Sequence, residues 1–322
     1  MNILSLASKD IGIDLGTANV LVALKDKGVV FREPSVVAYR KETKEVIAFG
    51  NDAKAMIGKT PSNIVAIRPL KDGVIADFTA TKLMLKAIVS KISRRYKIIR
   101  PEVVVGVPTG ITEVEARAVE EAIISSGAKA VYLIEEPMAA AIGSGLNVGE
   151  PNGNIIVDIG GGTTEIAVIS LGGIVNSNSV KIAGDELTED IIYFAKKKLD
   201  IIIGENTAER IKNEIGCALP LLTEEVREIS GRDLYTGLPV SKIITSSEVE
   251  FALKNSINKI VDAIKVTLEQ TPPELLSDIA VKGIMLAGGG ALIKNIDKLL
   301  EERMRNSCVC SARSVRFSSN RN

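Results

Sequence analysis

The chain has 322 residues, 46% apolar and 25% charged, enough for a sizeable core and for two domains rather than one. Lysine plus arginine and aspartate plus glutamate balance at 40 each, so the net charge carries no nucleic-acid footprint. Histidine is absent, which excludes Ser-His-Asp and Cys-His catalysis and leaves proton chemistry to carboxylates.

From the start, Met1, Ile3, Leu4 and Leu6 stand beside a single cation, Lys9, too short and too weakly basic for a secretory leader. A short membrane-touching stretch is the other reading of this segment. No apolar run reaches the roughly 18 residues that a membrane span needs. Cys217, Cys308 and Cys310 have no disulfide-framework spacing, as expected in a reducing compartment.

Strand-like and helix-like segments then alternate, the pattern of an α/β fold. Residues 11–24 predict a buried strand, a tight turn and a second strand, with Asp14 at the end of the first strand and Gly16 and Thr17 in the turn. Residues 155–169 repeat that plan, with Asp158 followed by Gly160, Gly161, Gly162 and Thr163. Two copies of one unusual hairpin predict duplicated lobes. Between them, a strand at 102–107 ends at Pro108 and Gly110. A helix follows, opened by a Thr112–Glu115 capping box and stopped near Gly127. After the second copy, helical spacing covers 185–199 and a further helix runs from 206 or 207 through Ile215. A last buried strand is expected over 281–287, leading through Gly288, Gly289 and Gly290 into a helix from Ala291 to about Met304. From Arg303 to Asn322 there are five arginines and five serines, without an acid or an apolar period. This end reads as disordered or as divergent and frame-shifted.

Small residues in a strand–turn–strand expose consecutive backbone N–H groups on which a phosphate can sit. Asp14 and Asp158 then either balance a cation, with Mg²⁺ contacted through ordered water, or cap their own turns. Glu135 and Glu136 precede Pro137 and a run of small residues, a helix start where an anionic carboxylate is favoured. Glu136 is either a water-orienting catalytic acid or half of a stabilising acid pair, and the flanking glycine turns favour the first. Glu209 and Lys212 lie one helical turn apart, which by itself describes a solvated pair. Arg94 to Arg100 places Tyr96, Ile98 and Ile99 among four cations in a predicted loop. Either these are apolar tips for an anionic leaflet or the isoleucines begin the next strand.

Together the runs Asp14-Leu-Gly-Thr-Ala-Asn19, Glu33-Pro-Ser-Val-Val37, Val107-Pro-Thr-Gly110, Glu135-Glu-Pro-Met-Ala-Ala-Ala-Ile-Gly143, Asp158-Ile-Gly-Gly-Gly-Thr-Thr-Glu165 and Gly288-Gly-Gly-Ala291 resemble the actin, Hsp70 and sugar-kinase superfamily. Within it the chain is similar to MreB-type bacterial actins over about residues 9–303. The resemblance implies an α/β actin-like ATPase fold, with two ribonuclease H-like lobes and four subdomains around a nucleotide cleft. It implies lobe I over 1–147 with a small subdomain near 33–75, lobe II over 148–303 with a second near 185–245, and a divergent tail from 304. It also implies ATP and Mg²⁺. Thr17, Ala18, Asn19 and Gly160–Thr163 would contact phosphates, while Glu209, Arg210, Ile211, Lys212, Gly288, Gly289, Gly290 and Ala291 would hold the nucleoside.

Such proteins form antiparallel double protofilaments on the inner face of the cytoplasmic membrane and work with membrane proteins of the wall-elongation machinery. The implied activity is an ATPase coupled to polymerisation. A small-molecule kinase of the same superfamily is the alternative, and an Hsp70-like chaperone would need a peptide-binding domain after the nucleotide domain.

Overall fold

The computed structural model describes residues 10–25, 27–71, 73–96, 98, 100–304 and the backbone of 308–310. They form two compact units, meeting in sequence at Ala139 and Ala140.

The first unit opens with β1 (Ile11–Leu15), β2 (Asn19–Leu24) and β3 (Gly28–Pro34), an antiparallel meander. Strand period two puts Ile11, Ile13 and Leu15 into the core and turns Asp14 to the other face. A separate three-stranded sheet, ordered β5-β4-β6, is built from β4 (Val37–Arg40), β5 (Val46–Phe49) and β6 (Ile64–Ile67), with the one-turn helix α1 (Asn51–Lys54) between the last two. The small hairpin of β7 (Leu70–Lys71) and β8 (Val74–Ile75) leads into α2 (Phe78–Tyr96). This helix buries Met84, Leu85, Ile88, Val89 and Ile92, a 3.6-period stripe that makes it part of the unit's core. Then come β9 (Glu102–Val107), α3 (Glu113–Ile124), β10 (Ala130–Glu135) and α4 (Glu136–Gly143). The Thr112–Glu115 capping box is present, with both reciprocal bonds.

The second unit repeats the plan with β11 (Asn154–Ile159), β12 (Thr164–Ser170) and β13 (Gly173–Val180). Next come α5 (Gly184–Lys198), β14 (Ile201–Ile202), α6 (Glu205–Ile215), β15 (Val226–Asp233) and β16 (Pro239–Thr245), and strands β14, β15 and β16 form their own sheet. The long helix α7 (Ser246–Glu269), opened by a Thr245–Glu248 capping box, packs on β12 and β13. α8 (Pro273–Lys282), β17 (Ile284–Ala287), a 3₁₀ turn (Gly290–Leu292), α9 (Ile296–Met304) and β18 (Cys308–Cys310) complete the described chain.

The two main sheets match strand for strand. Their orders are β10-β9-β1-β2-β3 and β18-β17-β11-β12-β13. In each, the first strand of the meander pairs in parallel with a later strand, which pairs in parallel with the outermost one. The match extends to register: Asp14 stands opposite Gly106, and Asp158 opposite Ala287. The fold is therefore a duplicated α/β unit, as the twin hairpins predict.

Four local expectations are corrected. Val281 is helical and 86% exposed; the final strand starts only at Ile284, after Gly283 at φ 83 stops α8. The helix expected from Ala291 is delayed to Ile296, because a 3₁₀ turn and Asn295, at φ 60, intervene. Arg94, Arg95 and Tyr96 belong to the last turn of α2, whose buried stripe carries the helix through them, and not to a loop. The end expected to lack a strand supplies β18, three residues joined to β17 at Ile284, Met285 and Leu286. So short a strand has no periodicity to read; the open edge of β17 templates it. Residues 311–322 lie outside the described residues.

Candidate functional site

In the first unit, β1 delivers Asp14 to the mouth of the β1–β2 turn. Gly16 is required there because a Cβ would stand 2.8 Å from the Asn19 carbonyl oxygen. Two residues outside the motif hold the turn. Ser35 Oγ donates to Gly16 O at 2.5 Å, and Gly73 N–H donates to Thr17 Oγ at 3.2 Å. The Ser35 amide also bonds Ala18 O at 3.0 Å. Thr17 is thereby buried, while Ala18 and Asn19 stay partly open.

Glu136 begins α4 directly after β10, and its Cγ lies 3.6 Å from where a Cβ on Gly106 would be. Asp14 Cα is 3.9 Å from the same point. Gly106 therefore leaves room for the Glu136 side chain beside the Asp14 backbone. The protein packed around Asp14 pushes its carboxyl from 3.8 up to about 6, although the residue's own surface is open to solvent. Water reaches this carboxyl from one side while protein crowds it from the others, so its anion is only partly solvated. A hydrated hard cation suits such a group, since Mg²⁺ keeps its waters and takes few carboxylates.

In the second unit the turn after β11 is tight: Gly160 N–H donates to Thr163 O at 2.9 Å. Gly162 and Thr163 are buried, and Gly160 and Gly161 are half-open. Here backbone from the start of α5 does the holding. Gly184 N–H reaches Gly160 O at 3.1 Å and Asp185 N–H reaches Gly161 O at 2.7 Å. The turn after β17 presses on the same place. A Cβ on Gly288, which sits at φ 81, would run into Asp158 Oδ1 and the Ile159 carbonyl, and one on Gly290 into the Ile159 side chain. Asp158, Gly160–Thr163 and Gly288–Gly290 therefore form one cluster. Ala291 follows in the 3₁₀ turn and Gly289 has open space around it. Among the described residues no group of three or more acids and cysteines is arranged to hold a metal directly.

The α6 residues divide. Lys212 Nζ donates to Gly184 O at 2.5 Å and to Thr188 Oγ at 2.8 Å, which ties it to the glycine-turn cluster. Arg210 turns instead to Glu214 Oε2 at 3.5 Å and Glu228 O at 3.1 Å. Ile211 has no exposed surface and belongs to the unit's core, so its side chain is not available to a nucleoside. This corrects the expectation for Ile211: the helix period that puts Ala208, Ile211 and Ile215 inward directs Glu209 and Lys212 elsewhere. A parallel correction concerns Ile98, which is 6% exposed and packed in the first unit's core, and so is not a membrane tip. Tyr96 is partly buried, with Lys27 Nζ 4.8 Å from its ring centre. Ile99 lies outside the described residues.

Sequence reading missed Ser35, Gly73, Gly106 and Gly184, which shape the turns from a distance in the chain. It also missed Glu165, which is 2% exposed and directly opposite Asp158 in the β11–β12 register. An acid at the head of the apolar run Ile166–Ile169 was the signal available for the last of these.

The family model described as MreB/Mbl protein matches residues 8–317. The chain is 53% identical over 302 residues to the cell shape-determining protein MreB of Escherichia coli K12, covering 92% of this chain and 86% of that protein. It is 50% identical over 298 residues to the cell shape-determining protein Mbl of Bacillus subtilis 168, covering 92% and 90%. Among solved structures, MreB5 of Spiroplasma citri bound to ADP aligns with a TM-score of 0.89 at 41% identity, covering 96% of this chain and 93% of that one. The same protein bound to AMPPNP aligns with a TM-score of 0.88 at 40% identity, covering 96% and 92%. A MamK double helical filament, at 22% identity and a TM-score of 0.78 over 98% of this chain and all of that one, shares the fold. By its match over nearly the whole length, its identity to these relatives and its duplicated actin-like fold, the chain belongs to the MreB/Mbl family.

Proposed function

We propose that this chain is an ATP-binding, filament-forming protein that determines cell shape. The observation that carries the reading is the pair of register-matched hairpins, each with an aspartate at the end of a buried strand and a glycine turn behind it. The S. citri structures, solved with ADP and AMPPNP, support a nucleotide at such turns. Thr17, Ala18 and Asn19, together with Gly160–Thr163, offer backbone N–H groups to phosphates. Gly288–Ala291 and Glu209 serve the nucleoside. Asp14 and Asp158 are the acids that would attend Mg²⁺, which would supply neutralisation of phosphate charge.

Glu136 accepts a hydrogen bond from a water and aims it at the terminal phosphorus, which is sufficient for a reaction that runs on positioning and electrostatics. Glu136 is the first residue of α4, directly after β10. Binding energy for the triphosphate favours the assembling conformation, and phosphate loss weakens it. Head-to-tail repetition of one chain gives open filaments, paired antiparallel. No described helix is long and apolar enough to cross a membrane. Tyr96 and its neighbouring cations are proposed as the contact with the inner membrane face, where the wall-elongation proteins are met.

The alternative of a small-molecule kinase is separated by sedimentation. Mg-ATP produces pelletable polymer under the filament reading, without any phosphate acceptor. A protein that binds ATP, never sediments and hydrolyses only when a sugar or similar acceptor is added would overturn that reading.

A further inference from the structure

We infer that Lys212 is a positioning residue for the second phosphate turn. The inference rests on the assignment of Gly160–Thr163 to phosphate.

Lys212 lies on the last turn of α6 and is half-buried, so its ammonium needs acceptors. It finds Gly184 O at 2.5 Å and Thr188 Oγ at 2.8 Å, both in the first turn and a half of α5. Thr188 is buried and donates its own hydroxyl back to Gly184 O at 2.9 Å. The Gly184 carbonyl is thus gripped by a hydroxyl and a cation together. A charge-assisted bond of this kind is about twice as strong as a neutral one.

What Lys212 grips is itself a clamp. The amides of Gly184 and Asp185 hold the carbonyls of Gly160 and Gly161, which fixes the plane of the turn's peptides. The N–H groups of those peptides face the opposite way, where a phosphate would be received. Gly184 is closely packed here: a Cβ would lie 3.3 Å from Gly160 O and 3.4 Å from Lys212 Nζ. Three layers therefore run from α6 through α5 to the turn. Pulling the outer layer away frees the inner one.

The test uses the full chain and displacement of a fluorescent ATP analogue by ATP, by inorganic tripolyphosphate and by adenosine. Lys212→Met should weaken ATP and tripolyphosphate alike, by about tenfold, the scale of one lost charge-assisted bond. Adenosine should stay within about twofold. Thr188→Val, nearly isosteric, should weaken the same two ligands less, and the double variant should be no worse than Lys212→Met alone. Without nucleotide, hydrogen exchange over residues 158–188 should rise in both variants, which also covers a Lys212→Met protein too unstable to titrate. Weakened adenosine with unchanged tripolyphosphate would overturn the inference, as would unchanged exchange or additive variants. A wild type that fails to bind ATP would instead remove the underlying phosphate assignment.

Discussion

The two hairpins share a strand register but are held in different ways, and the difference shows what duplication preserves. In the first unit, side chains do the holding: the Ser35 hydroxyl and the Thr17 hydroxyl tie the turn to the segment before β4 and to the β7–β8 hairpin. In the second, backbone does it, through two amides at the start of α5 and through Gly288 packed on Asp158. What persists is the position of the acid opposite the parallel neighbour strand. What diverges is everything that fixes the turn's peptides. The neighbour itself also differs, since Gly106 leaves a gap that Glu136 fills, whereas Ala287 is followed by the glycine turn.

The sharpest break of this comparison is chemical. If the carboxylate beside Gly106 aims the attacking water, Glu136→Ala should lower phosphate release by about 10²–10⁴-fold, the usual range for a positioned acid or base, while ATP affinity changes little. Phosphate release at the wild-type rate would remove the assignment. Next in size is Gly288→Ala. It combines a left-handed backbone position with a collision against Asp158 and should cost on the order of 3 kcal/mol in denaturant unfolding. Its counterpart in the first unit, Ser35→Ala, loses one hydrogen bond and should cost about 1 kcal/mol. Equal costs would mean that the two turns are not anchored differently.

Asp14 offers a pH test of the same asymmetry. Its folded-state carboxyl is raised from 3.8 to about 6, so ionisation costs the nucleotide-free fold stability. That cost is absent below about pH 4, grows as pH rises and is complete above about 6. Asp14→Asn should therefore melt higher than wild type at pH 7.5, and the difference should vanish as the pH falls to about 4. The gain would come with loss of nucleotide binding, the exchange of stability for function expected at a strained site. A difference in melting temperature that ignores pH would mean that Asp14 is not held in a charge-averse setting.

Much of this was legible from residue order alone. The hairpins carried their own glycine and aspartate spacing, and Thr112 and Glu115 spelled a capping box four residues long. The holders of the turns were not legible, because Ser35, Gly73, Gly184 and Lys212 approach them from far along the chain, and no local period marks a residue for such a role. Ile98 and Ile211 show the opposite failure. A basic surround suggested a leaflet for one and a family motif suggested a nucleoside for the other, but apolar burial had the larger claim on both side chains. Strand β18 escaped notice for a third reason: three residues are recruited by the open edge of β17 rather than by any pattern of their own.

The central proposal is that each hairpin contributes to nucleotide binding. Titration calorimetry of the full chain with Mg-ATP tests it most directly, using the wild type, Asp14→Asn and Asp158→Asn. The account predicts a loss of at least tenfold in affinity for either variant. Either variant binding as tightly as the wild type would contradict it.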